Sequence, residues 1–393
     1  MNNIAIVAVA YNRVNSLQRL LLSLEGAYYD SNEVTLIVSI DKSDTDAVER
    51  FADEYHWPWG KKIVDKHTHN LGLRPHMLSL GKWFDSFDAI VVLEDDIVVS
   101  PIFYTYTRQA VEKYFSCQDV AGISLYGFCM NYQTGHPFTP IKDEHDAYFM
   151  NCAMSWGEVW MRDSWNRFHE WYLRHQDFTA SPHLPRRVCR WNQKSWLKYH
   201  TRYCIEENKY FVHPYVSLST NFGDAGVHND KGGYTAYQVE LQQGTKKEFF
   251  LPEFGSGAVY YDGFFENKAI YEHLGLGPDA LCADLQGEWC NRLNRRYWLT
   301  TEVKNYKIVK SFGLNYRPIE INVLFDNPGN QIFLYDTQTI EKNPSPPYRR
   351  TLLYRYRLFN IVFLIIQYGP RSIWKDFSDL LKQRIEVRKR YRK

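Results

Sequence analysis

Residues 91–97 have the sequence VVLEDDI, in which an apolar run is followed by three adjacent acids, Glu94, Asp95 and Asp96. The apolar part belongs to a predicted β-strand over Asp88–Leu93. In an open α/β sheet, ligands bind outside the carboxyl ends of the strands. The three acids are therefore expected at an edge of the sheet where a ligand binds.

Strands and helices alternate in the predicted structure of the first part of the chain. The first strand, Asn3–Ala10, is a β-branched apolar run of the kind that parallel sheets bury on both faces. Further strands are predicted at Val34–Ile40, Lys62–Val64, Asp88–Leu93 and Val120–Tyr126. Helices are predicted after a cap at Asn15, over Asp44–Ala52 and Pro75–Phe84, and from Pro101 behind a cap at Ser100. These repeated units predict an α/β fold, a mainly parallel sheet with helices on both faces.

The pattern is less regular in the second half of the chain. We predict a strand at Tyr148–Met154, helices at Gly157–Tyr172 and Trp191–Glu207, and a polar loop at Gly223–Gly233. The β-type runs Ile319–Phe325 and Gln331–Tyr335, with a turn between them, indicate a small accessory β element. We therefore expect a first, site-bearing domain at 1–235, an accessory region at 236–345 and a basic helical tail at 346–393.

Charge is distributed unevenly along the chain. The net charge is +2, but residues 349–393 contain 13 Lys and Arg against 3 Asp and Glu, so the tail carries +10 and the remainder −8. An acidic body argues against nucleic acid as a partner, and a basic tail favours an anionic surface. Seven cysteines without CxxC spacing indicate reduced thiols and no zinc site. With no signal peptide recognised, we expect a cytoplasmic protein.

The tail also contains an apolar stretch. Leu358–Ile366 is nine residues long and apolar except for Asn360, whereas a span needs about 20 residues. Basic residues on both sides fit a helix that lies in the interface of a membrane, on its inner face. The alternative is a C-terminal helix packed on the body with a solvated basic end.

A divalent cation is the expected partner of the three acids. Adjacent carboxylates repel one another, which raises the pKa of each, and a bound cation relieves that repulsion. Oxygen ligands suit Mn²⁺ or Mg²⁺. Such an ion serves sugar transfer, because the charge of a departing diphosphate must be neutralised. The alternative is a solvated acidic turn.

Other polar residues follow the predicted strands. After the first strand, Tyr11 could stack on a base and Arg13 could meet a phosphate, or Arg13 could be a surface residue beside a helix start. Neither GxGxxG nor GxxxxGK[ST] is present, which argues against a dinucleotide oxidoreductase and a P-loop kinase. Asp41 could accept a hydrogen bond from uracil, or cap the next helix. Arg74 and His76, in a polar turn, could reach a diphosphate or base.

Several of these segments together resemble GT-A glycosyltransferases. They are Ile4–Arg13, Ile37–Asp41, NLGLR at 70–74 and LEDDIVVSP at 93–101. The sequence is similar in particular to the N-acetylglucosaminyltransferase family that starts hybrid N-glycans and to its bacterial homologues in polysaccharide synthesis. Weaker similarity extends the match over roughly residues 3–230, through Lys194-Ser195-Trp196 and Asn221–His228.

The resemblance implies roles for individual residues. Asp96 would bind Mn²⁺, while Glu94 and Asp95 would contact the ribose or sugar of a UDP-sugar. Asp41 matches the uracil-binding Asp of the family, and Arg13 matches an Arg after the first strand. His76 lies near a uracil-contacting His. The implied reaction is an inverting transfer to a hydroxyl of a glycan or lipid-linked glycan, in bacterial surface polysaccharide synthesis.

One departure from the family concerns the general base. The family carries an Asp just before a Trp, whereas Asn192-Gln193-Lys194-Ser195-Trp196 contains no acid. An amide cannot take a proton from an acceptor hydroxyl. Asp224, in the polar loop, and Glu158, at a predicted helix start, are the candidate bases. Their structural alternatives are a turn former and an acid that favours a helix N-terminus.

Two other functions remain open at this point. A sugar nucleotidyltransferase would have a Gly-rich phosphate loop after the first strand, but AYNRVNS at 10–16 has no Gly. A non-catalytic nucleotide- or glycan-binding protein would also be consistent with the missing base.

Overall fold

The structure is a computed structural model. It describes residues 2–31, 33–224, 233, 235–255, 257–344, 354–355, 359–375, 378 and 382. Most of the loop after Asp224 and most of the tail lie outside the described residues.

The described chain forms the following elements in sequence order. The first part contains β1 (Ile4–Ala10), α1 (Val14–Glu25), β2 (Thr35–Ile40), α2 (Ala47–Glu54), β3 (Lys62–Lys66), α3 (Leu73–Ser79), a 3-10 turn (Leu80–Asp85), β4 (Ala89–Glu94), β5 (Ile97–Val99), α4 (Phe103–Tyr114) and β6 (Val120–Ser124). The middle part contains β7 (Ala147–Met150), β8 (Glu158–Met161), α5 (Arg162–Arg174), α6 (Arg186–Arg190), α7 (Leu197–Glu206), β9 (Tyr210–Pro214), β10 (Ser219–Asn221) and β11 (Tyr260–Tyr261). The last part contains α8 (Ala269–His273), β12 (Leu281–Asp284), β13 (Tyr297–Thr300), β14 (Tyr306–Phe312), α9 (Ile321–Leu324), β15 (Ile332–Ile340) and α10 (Phe359–Tyr368).

A nine-stranded sheet organises the first two parts. Its order is β11-β7-β9-β6-β8-β4-β1-β2-β3. Strands β4, β1, β2 and β3 pair in parallel, whereas β8 runs antiparallel between β4 and β6, and β7 runs antiparallel to β9. The prediction of an α/β fold with a mainly parallel sheet is confirmed.

Helices cover both faces of this sheet. Alternate residues of β1, from Ile4 to Ala10, pack in one core cluster with the apolar side of α1. Ala5, Val7 and Val9 point the other way and join a second cluster that includes Trp165 of α5 and Tyr199 of α7. This alternation follows from the period of two in a strand.

Several predicted elements were wrong in type or start. The helix expected at Trp191–Glu207 begins only at Leu197, and α4 begins at Phe103 after Ile102, so Ser100 does not cap it. Gly157–Tyr172 was expected to be one helix, but it is β8 followed by α5. The run Ile319–Phe325 was expected to be β-structure, but it contains α9. Asn15 does not cap α1, since the helix already begins at Val14.

A second, four-stranded sheet lies in the last part of the chain. Its order is β12-β13-β15-β14, and Ile270, Leu299 and Phe312 are among the residues of its own apolar cluster. The strand β11 belongs to the large sheet, although it lies beyond the expected boundary at residue 235. The division at 235 and 345 stays a prediction.

Consecutive apolar side chains in the described part of the C-terminal helix α10 are exposed. Phe363, Leu364, Ile365 and Ile366 are consecutive and between 40% and 75% exposed. Within the described residues, no helix is both long and apolar enough to cross a membrane.

Candidate active site

The site lies where the strand order of the large sheet reverses. The chain proceeds from β1 outward to β2 and β3, and then returns to place β4 on the other side of β1. At such a switch point the loops after neighbouring strands diverge and leave a crevice for ligands. The carboxyl ends of β1 and β4 are adjacent, with Val9 paired to Glu94. Tyr11 and Arg13 therefore lie beside Asp95 and Asp96.

Arg13 binds two of the three acids. Its guanidinium forms an ion pair with Asp95 through two nitrogen atoms and lies 3.4 Å from Asp96 Oδ2. The side chain of Asp95 is 5% exposed and that of Asp96 is 21% exposed. Asp96 is thus the more accessible of the two acids. Arg13 is therefore more than a surface residue beside a helix start, because its guanidinium contacts both carboxylates.

The pKa values indicate a site with too little positive charge. Burial raises the pKa of Asp95 to about 6 against the opposing effect of Arg13. Burial, followed by the charges of Asp96 and Asp95, raises the pKa of Glu94 to about 8, although Arg13 and a hydrogen bond from Trp196 oppose this. One guanidinium does not balance three carboxyl groups. A hard divalent cation fits this donor set, because it would supply the missing charge to oxygen ligands.

Asp224 is brought to the same place by a short antiparallel strand pair. β10 pairs with β5, and the N–H of Phe222 donates to the carbonyl of Asp96 at 2.8 Å. Asp224 forms an ion pair with Arg19 of α1, and its charge acts on both Asp95 and Arg13. The guanidinium of Arg19 also lies 3.5 Å above the ring of Phe222. The candidate base Asp224 thus lies beside the acid cluster.

Glu158 does not lie at a helix start. It begins β8, opposite Val92 of β4, and is 1% exposed. Its Oε1 accepts from the N–H of Met154 at 2.7 Å, and its Oε2 accepts from Nε1 of Trp160 at 2.6 Å. Burial, with a smaller contribution from the charge of Glu94, raises the pKa of Glu158 to about 8 against the opposing hydrogen bonds from Trp160 and Met154. Glu158 is therefore a buried neighbour of the acid cluster, and the helix-dipole interpretation of this residue was wrong.

Asp41 holds the loop that was predicted to bind the nucleotide. Its Oδ1 accepts from the N–H groups of Lys42 and Leu71, and its Oδ2 accepts from that of Gly72. It does not cap α2, which begins at Ala47. A carboxylate offers about four acceptor sites, so three backbone bonds leave room for one more donor.

Arg74 and His76 have protein partners in the structure. Arg74 donates to the hydroxyl of Tyr199 at 2.9 Å. His76 is 2% exposed, with Nε2 2.9 Å from Oγ of Ser39, and burial together with His67 lowers its pKa to about 4. Both residues connect α3 to neighbouring elements. Tyr11, by contrast, is 42% exposed.

Sequence reasoning missed two groups. Arg19, which holds Asp224, lies on the helix that follows Arg13, but only its position in α1 could have indicated it. Asp143, Glu144 and His145, before β7, place their ligand atoms within 4.8 Å of one another and form a further place where a metal could bind. A bond of 2.9 Å between Asp143 and His145 and stacking of His145 on Phe250 already support that arrangement.

Comparison with known proteins gives partial similarities of fold. No protein-family model matches the chain, and no curated protein matches it. The mannosyltransferase PcManGT from Pyrobaculum calidifontis, in complex with GDP-Man and Mn²⁺, is 12% identical over 55% of this chain and 57% of its own, with a TM-score of 0.34. TarS 1–349 of S. aureus, in complex with UDP, is 12% identical over 55% and 59%, with a TM-score of 0.36. GalNAc-T7, with UDP, GalNAc and Mn²⁺, is 14% identical over 56% and 43%, with a TM-score of 0.36. This chain thus spans little more than half the length of the first of these proteins.

Proposed function

We propose that the protein is a metal-dependent glycosyltransferase that moves a sugar from a UDP-sugar to a hydroxyl of a glycan or lipid-linked glycan. The observation that carries the proposal is the acid cluster at the switch point, where Arg13 and Asp224 converge on Asp95 and Asp96. The EDD motif and the segments that resemble GT-A enzymes support the same assignment. We further propose that the transfer inverts the anomeric centre and serves bacterial surface polysaccharide synthesis.

Each acid would have a separate role in donor binding. Asp96, the more exposed acid, would hold Mn²⁺ or Mg²⁺, and Glu94 and Asp95 would orient the ribose and sugar. The ion would supply positive charge to the diphosphate as it leaves. Tyr11, exposed after β1, would stack on the base, and Asp41 would use its remaining acceptor site for uracil N–H. Arg74 and His76 would contribute by fixing the loop at 70–76.

Asp224 is the preferred candidate for the general base. It lies beside the acid cluster, and its side chain is 19% exposed, whereas both oxygens of Glu158 are occupied in the interior. A base must come within hydrogen-bond reach of the acceptor hydroxyl. Arg19 would hold the carboxylate of Asp224 in place through their ion pair.

The tail is proposed to attach the enzyme to the anionic inner face of the cytoplasmic membrane. Support comes from the exposed apolar side chains of α10 and from the basic residues of the sequence around it. Apolar burial in the headgroup region and attraction to anionic lipid would act together. This attachment would bring the site to a lipid-linked acceptor.

Donor hydrolysis tests the proposed function. Water can replace the acceptor, so release of UDP from a panel of UDP-sugars should occur with Mn²⁺ and cease without it. Asp224→Asn should reduce release by at least about 10²-fold, the usual contribution of a general base, while UDP binding is retained. Asp119→Asn, which breaks a surface ion pair with Lys209, is the matched control.

Two results would change the assignment. Metal-dependent UDP binding without any turnover would favour the non-catalytic nucleotide-binding protein. Full activity of Asp224→Asn would place the base elsewhere.

A further inference from the structure

An open cleft of about 400 Å³ lies beside the short helix α6. Its lining includes Arg186 and Arg190 of α6, Arg292 from the accessory region, and the smaller residues Ser181 and Cys189. Three arginines from two distant parts of the sequence thus line one surface depression. Among the described residues that line the cleft there is no acid.

Like charges concentrated at one place favour an anionic ligand. The three arginines all act on Glu288: they oppose the burial that raises the pKa of its carboxyl, and its Oε1 accepts from the N–H of Arg186 at 2.6 Å. One carboxylate therefore faces three guanidinium groups, which leaves positive charge in excess. Arg292 is fixed at the cleft by a bond of 3.3 Å to the carbonyl of Leu184. A positioned guanidinium binds phosphate or carboxylate oxygens through two parallel N–H bonds.

The cleft is connected to the candidate active site by two routes. On one side, Arg187 of α6 donates to the hydroxyl of Tyr237 at 3.2 Å, and the Tyr237 ring lies 4.9 Å from that of Trp156. The carbonyl of Trp156 accepts from Oγ of Ser219, which begins β10, the strand that leads to Asp224.

The second route runs through the segment between α6 and α7. Lys198 is 1% exposed, and its Nζ donates to the carbonyls of Trp191 and Cys189 at 2.8 Å and 3.3 Å. This fixes α6 against the residues just before α7, where Trp196 acts to lower the pKa of Glu94.

We propose that this arginine cleft binds an oxyanion, a phosphate or a carboxylate, of the acceptor substrate. The inference rests on the proposed function and specifies its acceptor class as anionic. The phosphates of the donor belong at Asp96 and its metal ion, so the arginine cleft is a separate anion site. Arg186, Arg190 and Arg292 hold the oxyanion, and the Tyr237–Trp156 pair lies between that anchor and the strand that carries Asp224.

Calorimetric titration with inorganic phosphate tests the arginine cleft. The protein is first saturated with UDP and Mg²⁺, so that the donor site is occupied. Phosphate should then bind, and the affinity should fall as chloride is raised, because salt screens exposed charges. The double variant Arg190→Gln/Arg292→Gln should bind phosphate at least about tenfold more weakly. Arg50→Gln, which removes an exposed charge paired with Asp46 on α2, should bind as the wild type does.

Acetate at equal ionic strength distinguishes the two kinds of oxyanion. Displacement of phosphate by acetate identifies a carboxylate-accepting site, and its failure identifies a phosphate site; both support the inference. Equal phosphate affinity in wild type and double variant would overturn the inference. It would also be overturned if phosphate bound no more tightly than chloride. If the double variant does not fold, the pair Arg190→Lys/Arg292→Lys retains the charge but not the bidentate geometry and should still weaken binding.

Failure of this inference is distinguishable from failure of the proposed function. Metal-dependent UDP binding without phosphate binding would reject the arginine cleft alone. Phosphate binding without UDP binding would reject the glycosyltransferase assignment and leave an anion site.

Discussion

Charge balance at individual residues connects the fold to the proposed chemistry. Three carboxyl groups lie at the carboxyl end of β4, and Arg13 forms ion pairs with two of them. The pKa of Glu94 is raised to about 8, first by burial and then by its two neighbours. A site in which a proton or a metal ion must compensate excess negative charge is suited to binding a diphosphate together with a cation.

Glu158 makes this residue-scale argument testable through stability. The pKa of its carboxyl is about 8 in the folded protein, against an ordinary value of 4.5. Between these values the unfolded chain releases the proton while the folded chain retains it. The contribution of Glu158 to stability is therefore fully present below pH 4.5 and is lost as the pH rises toward 8, at up to about 1.4 kcal/mol per pH unit.

Glu158→Gln should remove this dependence. Urea unfolding of wild type and variant at pH 5, 6, 7 and 8 should show that the free energy of unfolding of the variant increases relative to that of the wild type as the pH rises. The control Glu170→Gln, at an exposed position of α5, should show the same pH dependence of stability as the wild type. If the free energy of unfolding of Glu158→Gln changed with pH just as that of the wild type does, the raised pKa would be contradicted.

At the scale of elements, α7 is predicted to support the acid cluster. Trp196, 5% exposed just before α7, acts on Glu94 through its indole N–H and lowers the pKa of that carboxyl. Trp196→Phe keeps the ring in the core but removes the donor, so Mn²⁺-dependent UDP affinity should fall by roughly 1–3 kcal/mol. Trp59→Phe removes a bond of 2.9 Å to the carbonyl of Glu25 and is the control. Unchanged UDP affinity in Trp196→Phe, with thermal stability retained, would show that α7 does not support the acid cluster.

The parallel strands and the acids at the carboxyl end of β4 could be predicted because the sequence patterns that indicate them are local. Strands β1, β2 and β4 are continuous apolar runs, and polar residues follow directly where each strand ends. The positions of Asp224 and Glu158 depend on pairing between distant segments. Thus β10 pairs with β5, and β8 inserts between β4 and β6, neither of which leaves a local pattern.

The segment 157–174 shows why its first part was mistaken for helix. Trp160, Trp165 and Phe168 fit a helical face, but Trp160 lies in β8, because pairing with two strands outweighs local preference. Gly157 was a usable signal for a break. Its φ is +100°, and a Cβ there would lie 2.9 Å from Oγ of Ser219. A glycine is therefore required where the chain turns into β8.

At the scale of the whole molecule, the tail is expected to act as a membrane anchor. Tyr354 and Arg355 contact the accessory region, through bonds from Tyr354 to Tyr316 and from Arg355 to Leu285. A deletion should therefore begin at residue 359. Residues 359–393 contain nine Lys and Arg and three Asp and Glu, and they include the exposed apolar side chains of α10.

Flotation with liposomes that contain anionic lipid measures this attachment. Full-length protein should float at low salt, and high salt should weaken but not abolish binding, since apolar burial persists while charges are screened. The protein ending at residue 358 should remain in the soluble fraction, yet hydrolyse donor as well as the full chain does. If the full-length protein did not bind anionic liposomes at low salt, the alternative would be favoured, in which the tail is a packed helix with a solvated basic end.

The central claim is that Asp96 holds a divalent cation on which UDP binding depends. Calorimetry of UDP with wild type, Asp96→Asn and the control Asp119→Asn, each with and without Mn²⁺, tests it most directly. Wild type and control should bind UDP tightly only with Mn²⁺. Asp96→Asn keeps the shape but removes one charge, and it should lose more than about tenfold in Mn²⁺-dependent affinity, since even outer partners of metal ligands contribute about 10- to 100-fold. Equal affinity for UDP in wild type and Asp96→Asn, or affinity that does not change when Mn²⁺ is removed, would contradict the account.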